Sequence, residues 1–123
     1  MKKWSVSWKS SKKPNKQRKY VYKAPLHIKS KLLCSHLSPE LRKKHGKRSM
    51  RVRKGDSVKI MAGNFKGKIG KVDRVNVKNA KVYITGIGLV KKDGSKTAYP
   101  IRPSKLMIQE LNMSDKRRIE VAK

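Results

Sequence analysis

A chain of 123 residues has room for one compact domain and an extension, not for two separate cores. Its 35 Lys and Arg face only 7 Asp and Glu, a net charge of +28, several-fold more than the roughly 2 to 8 that solubility of a small domain asks for, and self-repulsion at that charge opposes the compact state. Such a balance calls for a polyanionic partner and leaves paired-carboxylate catalysis short of material. With no apolar run near about 18 residues it also leaves out a membrane span.

The charge is uneven. Residues 1–54 hold 19 Lys and Arg against one acid, a net +18, and residues 55–123 hold 16 against 6, a net +10. No apolar helical face is long enough for a membrane-surface anchor, so nucleic acid is the expected partner, without a small-molecule substrate or a homo-oligomer. The start "MKKWSVSWKSSKK" is basic but has no apolar stretch of a secretory signal, and the single Cys34 makes no internal disulfide. Both point to a cytosolic protein.

In chain order, residues 1–23 are expected to be a basic RNA-binding arm. "SSKKPNKQRKYVYKAP" has too few aliphatics to fix its own backbone, and it interleaves Lys12, Lys13, Lys16, Arg18, Lys19 and Lys23 with the stacking surfaces Tyr20 and Tyr22. Residues 24–49 predict two short helices. In the first, "APLHIKSKLLCSHL", Pro25 suits the first position, and Leu26, Leu33 and Leu37 return near one face with Lys29 beside them. His27 and Lys31 belong to the same basic segment. In the second, Ser38 caps, Pro39 fills the first turn, Glu40 meets the positive end of the dipole, and Arg42, Lys43, Lys44 and His45 run into Gly46 as the stop. Lys47, Arg48, Arg51, Arg53 and Lys54 extend the basic run.

From about Met50 the pattern turns to period two. "DSVKIMA" places Val58 and Ile60 on one face, "KIGKVDRVNV" alternates from Ile69 to Val77, and "AKVYITGI", "TAYPIRP" and "KLMIQEL" read as further strands. "GNFKG", "KNA" and "KKDGSK" are turns. Five short strands in about 60 residues suggest a mostly β fold with a small antiparallel barrel over residues 50–111, because closure removes exposed edges. Residues 112–123 are expected to be a basic tail or a brief helix capped by Ser114.

The stretch "GNFKGKIGKV" invites a phosphate-loop reading and fails it. Gly63 to Ile69 is one residue short of the nucleotide-binding loop and lacks the hydroxyl that holds Mg²⁺. Its glycines are better assigned to turn and bulge geometry. Lys66 and Lys68 would project from such a turn beside Asn64, and Phe65 would either stack on a base or cap the barrel. "GIGLVK" lacks the third glycine of a dinucleotide loop. His27, Cys34, His36 and His45 show no metal-ligand spacing and Cys34 has no orienting carboxylate nearby, so no metal, cofactor or enzymatic activity is expected.

"RKGDSVKIMAGNFKGKIGKV" (Arg53 to Val72) resembles the KOW motif of SH3-like barrels that bind RNA or the transcription machinery. The flanks "YVYKAPLHIKSKL", "LSPELRKKHGKRSMRVRKGD" and "YPIRPSKLMIQELNMSD" resemble the archaeal and eukaryotic branch of the universal large-subunit ribosomal protein twenty-four family, twenty-six in the eukaryotic count. The resemblance runs from about Lys16 to the C-terminus. It implies an SH3-like barrel on large-subunit ribosomal RNA near its 5′ end, early binding in assembly, neighbouring ribosomal proteins, and a place near the exit of the peptide tunnel. The branch usually reads Pro-Ile-His-Pro-Ser where this chain has Arg102 ahead of Lys105, which would turn an imidazole contact into a guanidinium one. The alternative is a KOW module of a transcription elongation factor bound to RNA polymerase. Such modules are usually less basic and lack the "HIKSKL" and "LSPELRKK" flanks.

Overall fold

The structure, a computed structural model, describes residues 4, 5 and 11–120. The outermost parts of the expected arm and tail lie outside the described residues. Among the described residues four α-helices, α1 (Pro14–Lys23), α2 (Leu26–Lys31), α3 (Pro39–His45) and α4 (Arg117–Glu120), accompany eight strands: β1 (Cys34–Leu37), β2 (Ser49–Arg51), β3 (Ser57–Ile60), β4 (Ile69–Asn76), β5 (Lys81–Ile84), β6 (Gly88–Val90), β7 (Lys96–Ala98) and β8 (Leu106–Glu110).

Six strands form one sheet in the order β2-β1-β8-β3-β4-β5, and β6 pairs with β7 as a separate hairpin. The mostly β expectation holds, but the sheet differs from a closed antiparallel barrel in two respects. The end strands β2 and β5 are not paired to each other among the described residues, and β1 runs parallel to β8, with His36 opposite Met107 and Leu37 opposite Ile108. Every other neighbouring pair is antiparallel. Between β5 and β8 the chain returns to the sheet at the Val82 to Ile101 bridge.

One face of the sheet is the core. Alternation sends Val58 and Ile60 of β3, Val82 and Ile84 of β5, and Leu106 and Ile108 of β8 inward, where they meet Leu37, Met50, Val52, Val72 and Ile101. Each such aliphatic side chain contributes about 1.5 to 3 kcal/mol when fully buried. Ile69, expected inward, is 58 % exposed. A register shift between Val72 and Arg74 interrupts the alternation of β4, and Val72 is its one fully inward residue.

The first predicted helix is half right. Pro25 lies at the N-cap, where its carbonyl accepts from the Ile28 and Lys29 amides, and the helix stops at Lys31 instead of running to Leu37. Residues 34–37 are extended because they sit between β2 and β8, where pairing on both edges outweighs local helical spacing. Leu33 and Leu37 are buried, but Leu26, meant for the same stripe, is 60 % exposed. The second helix follows its signals: Ser38 Oγ accepts from the Leu41 amide, and Gly46 closes the helix at φ 63°. At the C-terminal end the helix is present, but Asp115, not Ser114, supplies the capping oxygen, accepting from the Arg117 amide at 3.0 Å.

Candidate nucleic-acid interface

Helix α1 carries the aromatic and basic interleaving. Pro14 starts it, no acid sits in its first turn, and none of its ten residues is buried. Residues three and four apart share a face. Lys16, Lys19 and Lys23 therefore form one exposed stripe, and Gln17, Arg18, Val21 and Tyr22 form the other. Lys12 and Lys13 precede the helix, both exposed. The two tyrosines have different surroundings. Tyr20 is half-buried against Trp4, with ring centroids 4.8 Å apart and the Trp4 indole donating to its carbonyl at 3.1 Å. Tyr22 is 79 % exposed, with Lys29 Nζ 5.7 Å from its ring centroid and donating to its carbonyl at 2.8 Å.

In α2, His27 and Lys31 are exposed and Lys29 is half-buried. The cations of the α3 region are not equivalent. Lys43, Lys44 and Arg48 point outward, whereas Arg42 and Lys47 are half-buried and their Nε and Nζ atoms find no hydrogen-bond partner among the described residues. Cys34 reaches the surface, yet desolvation pushes its thiol up, only partly offset by the Arg51 charge. It is thus held as thiol, unlike the activated thiolate of a nucleophile. Among the described residues no group of three or more His, Cys, Asp or Glu could hold a metal ion.

The loop between β3 and β4 is tied to itself. The Gly67 amide donates to the Ile60 carbonyl at 2.8 Å, and the Lys66 and Lys68 amides donate to the Gly63 and Phe65 carbonyls. Gly63 (φ 97°) and Gly67 (φ 85°) occupy the left-handed region that this turn requires. Asn64, Lys66 and Lys68 are exposed. Phe65 packs on the core, its ring centroid 5.2 Å from that of Tyr99, with Lys68 Nζ 5.3 Å from it. The ring thus caps the sheet, and the lysines are the outward part of the loop.

Around the β2 end, Arg51, Arg53 and Lys54 are exposed. They border an open cleft of about 610 Å³ that also takes in Asp73 and Arg74. Arg53 is partly engaged: its Nη1 donates to Asp115 Oδ2 at 2.6 Å, and with the Arg117 amide it holds the Asp115 carboxyl below the usual range. Arg102 and Lys105, both exposed, flank a 3₁₀ turn at Pro103–Lys105. Arg102 lines a second cleft together with Arg18 and Lys29.

Sequence reasoning passed over Arg74, whose guanidinium stacks 4.5 Å from the Tyr83 ring centroid, and Lys78, on the β4–β5 turn and lining the same cleft as Arg102. For Arg74 the signal was its polar place in the alternation of β4. For Lys78 it was only membership of a turn. A family model that describes the eukaryotic ribosomal proteins twenty-six of the large subunit and their archaeal counterparts, numbered twenty-four, matches residues 11–123, most of the chain.

Proposed function

Because the chain belongs to this family of eukaryotic twenty-six and archaeal twenty-four ribosomal proteins, an RNA-binding structural component of the large subunit in the cytoplasmic ribosome, we propose that it binds large-subunit ribosomal RNA near its 5′ region. On this reading it joins early in assembly and lies near the exit of the peptide tunnel beside other ribosomal proteins, as a single copy without catalytic activity. The open β sheet is read as a variant of the SH3-like KOW barrel.

The observation that carries the mechanism is the concentration of exposed cations on elements that bury little. The stripe of Lys16, Lys19 and Lys23, the outward Lys43, Lys44 and Arg48, and the loop lysines 66 and 68 neutralise crowded phosphates and release counterions. The sheet supplies a fixed shape, and residues 11–23 take their final form against RNA. Exposure of these side chains supports the assignment.

Crosslinking of the tagged protein in cells, followed by sequencing of the attached RNA, tests this reading. Reads gathered in the 5′ part of large-subunit RNA are expected. Reads spread over nascent transcripts, together with co-purification of RNA polymerase, would overturn it.

A further inference from the structure

We propose that the cleft between α1, α2, the β4–β5 turn and the 103–105 turn holds one unpaired nucleotide, with its base on Tyr22 and its phosphates on the surrounding cations. This rests on the RNA-binding reading and adds to it a ligand class, an extruded or bulged nucleotide instead of a paired helix.

The cleft measures about 540 Å³, within the roughly 300 to 1,000 Å³ of small-molecule sites. Among the described residues four cations line it, Arg18, Lys29, Lys78 and Arg102, and no acid does. Paired RNA would ask for nothing more than those charges, because a duplex presents phosphates and sugars and keeps its base faces stacked inside. The lining also contains apolar surface that a duplex has no use for. Val21 is 42 % exposed, Leu32 46 % and Tyr22 79 %, and all three line the same cleft. A chain of charge +28 has thus left three large apolar side chains open to solvent inside a basic hollow. A nucleobase matches this surface, with apolar faces to stack on an aromatic ring and a polar edge to be read. Asn79 offers its side-chain amide for that edge, and Gln17, whose Nε2 donates to the Ser11 carbonyl, offers its Oε1.

A cation also stands beside the aromatic group. Lys29 Nζ is fixed by donation to the Tyr22 carbonyl and stands over the ring, so a cation adjoins the stacking surface where a phosphate attached to the base would lie. Tyr20, packed on Trp4, faces elsewhere on α1 and is not a lining residue. That separates the two tyrosines experimentally.

The test uses the full-length protein and synthetic RNA duplexes of one sequence, either fully paired or carrying a single bulged A, C, G or U, at one salt concentration. At least one bulged duplex is expected to bind roughly tenfold more tightly than the paired one, the scale of one base stacked on an aromatic side chain. Tyr22→Ala should bring that ratio to about one, with the larger loss falling on the bulged duplex. Tyr22→Phe and Tyr20→Phe should both keep it. Equal binding of all five RNAs by the wild type, or an equal loss on all of them in Tyr22→Ala, overturns the nucleotide site and leaves the proposed function standing. Failure to bind any of these RNAs counts against both. In assembled large subunits, a photoreactive residue at position 22 should crosslink to RNA, and a crosslink to protein would replace the nucleotide by a polypeptide occupant.

Discussion

Arg118 and Asp56 meet fork to fork in the interior, Nη1 to Oδ1 and Nη2 to Oδ2 both at 2.6 Å, across 62 positions of sequence. Both side chains are almost fully withdrawn from solvent. The carboxylate also accepts the Arg53 amide at 2.8 Å and the Asn112 amide at 2.9 Å, and the guanidinium donates to the Asn112 and Arg51 carbonyls. Breaking a buried pair leaves an uncompensated charge, so Arg118→Met should lower stability by about 3 to 5 kcal/mol. Arg118→Lys should recover less than half of that, because an ammonium cannot match the fork. Urea unfolding followed by circular dichroism measures both, and a loss below about 1 kcal/mol in Arg118→Met would contradict the role of the pair.

Gly70 and Gly67 should respond differently to alanine. A Cβ on Gly70 would lie 2.6 Å from Ile84 Cγ2 and 3.1 Å from the Thr85 carbonyl oxygen, so the facing strand has to move, at about 1 to 3 kcal/mol. Gly67 has open space around it, and Gly67→Ala meets only the positive-φ penalty of about 1 to 2 kcal/mol. Thermal melts of the two variants, with RNA affinity measured beside them, separate clash from backbone strain.

Salt dependence should divide the interface. The logarithm of affinity is expected to fall with the logarithm of salt by about 0.7 per phosphate for single strands, with about 0.9 as the duplex-DNA benchmark. Replacing Lys12, Lys13, Lys16, Arg18 and Lys19 by alanine should reduce the slope by about 3 to 5 units. Replacing Lys66 and Lys68 should reduce it by no more than about 2 and should also weaken discrimination of cognate from random RNA, because those lysines stand on a loop fixed by its own hydrogen bonds. All seven side chains are exposed, so circular dichroism should show the folded sheet in both variants. An unchanged slope in the first variant would refute this division.

Without RNA, α1 should exchange its amides quickly. Ten residues with no buried side chain and no side-chain cap fall short of the roughly 12 to 15 needed for a stable isolated helix. The amides of β3, β4 and β8 are expected to be protected. Protection of residues 14–23 equal to that of β3 in the protein alone would show that the helix does not depend on its partner.

Acid should act on the Arg53 contact. The folded-state value of Asp115 lies below its ordinary one, chiefly through the Arg53 side chain and then the Arg117 amide. Its contribution is therefore present above the usual aspartate range and disappears as pH falls through the depressed value. Arg53→Ala should raise the Asp115 titration midpoint toward the ordinary value, as read by carboxyl NMR shifts. Both side chains of the pair remain open to solvent, each 44 % exposed, so the effect on stability should be small and should shrink with salt.

What could be read in advance was whatever is decided locally. Ser38, Pro39 and Gly46 bound α3 because each acts on its own neighbours, and Val58 and Ile60 face the core because alternation is a property of one strand. Cys34–Leu37 could not be read that way. Its spacing fits a helix, and its extension depends on Met107 and Ile108, far along the chain. The outward Lys66 and Lys68 were visible from a turn with glycines. The cleft was not, since residues 17–22, 29–32, 78–80 and 102–104 meet only in the folded chain. Nor could the sequence separate Tyr20 from Tyr22, whose difference is a contact with Trp4.

The parallel strand β1 also sets the order in which the protein can be completed during synthesis. Its outer partner β2 follows soon after it, but its inner partner β8 and the Pro103 carbonyl that accepts from Ser35 Oγ come last, 68 positions later for that hydrogen bond. Until residues 103–110 leave the ribosome that is making the chain, β1 and β3 have no strand between them. The basic N-terminal half therefore emerges as an unfinished polycation, open to any RNA within reach, and the last-made strand locks it into register.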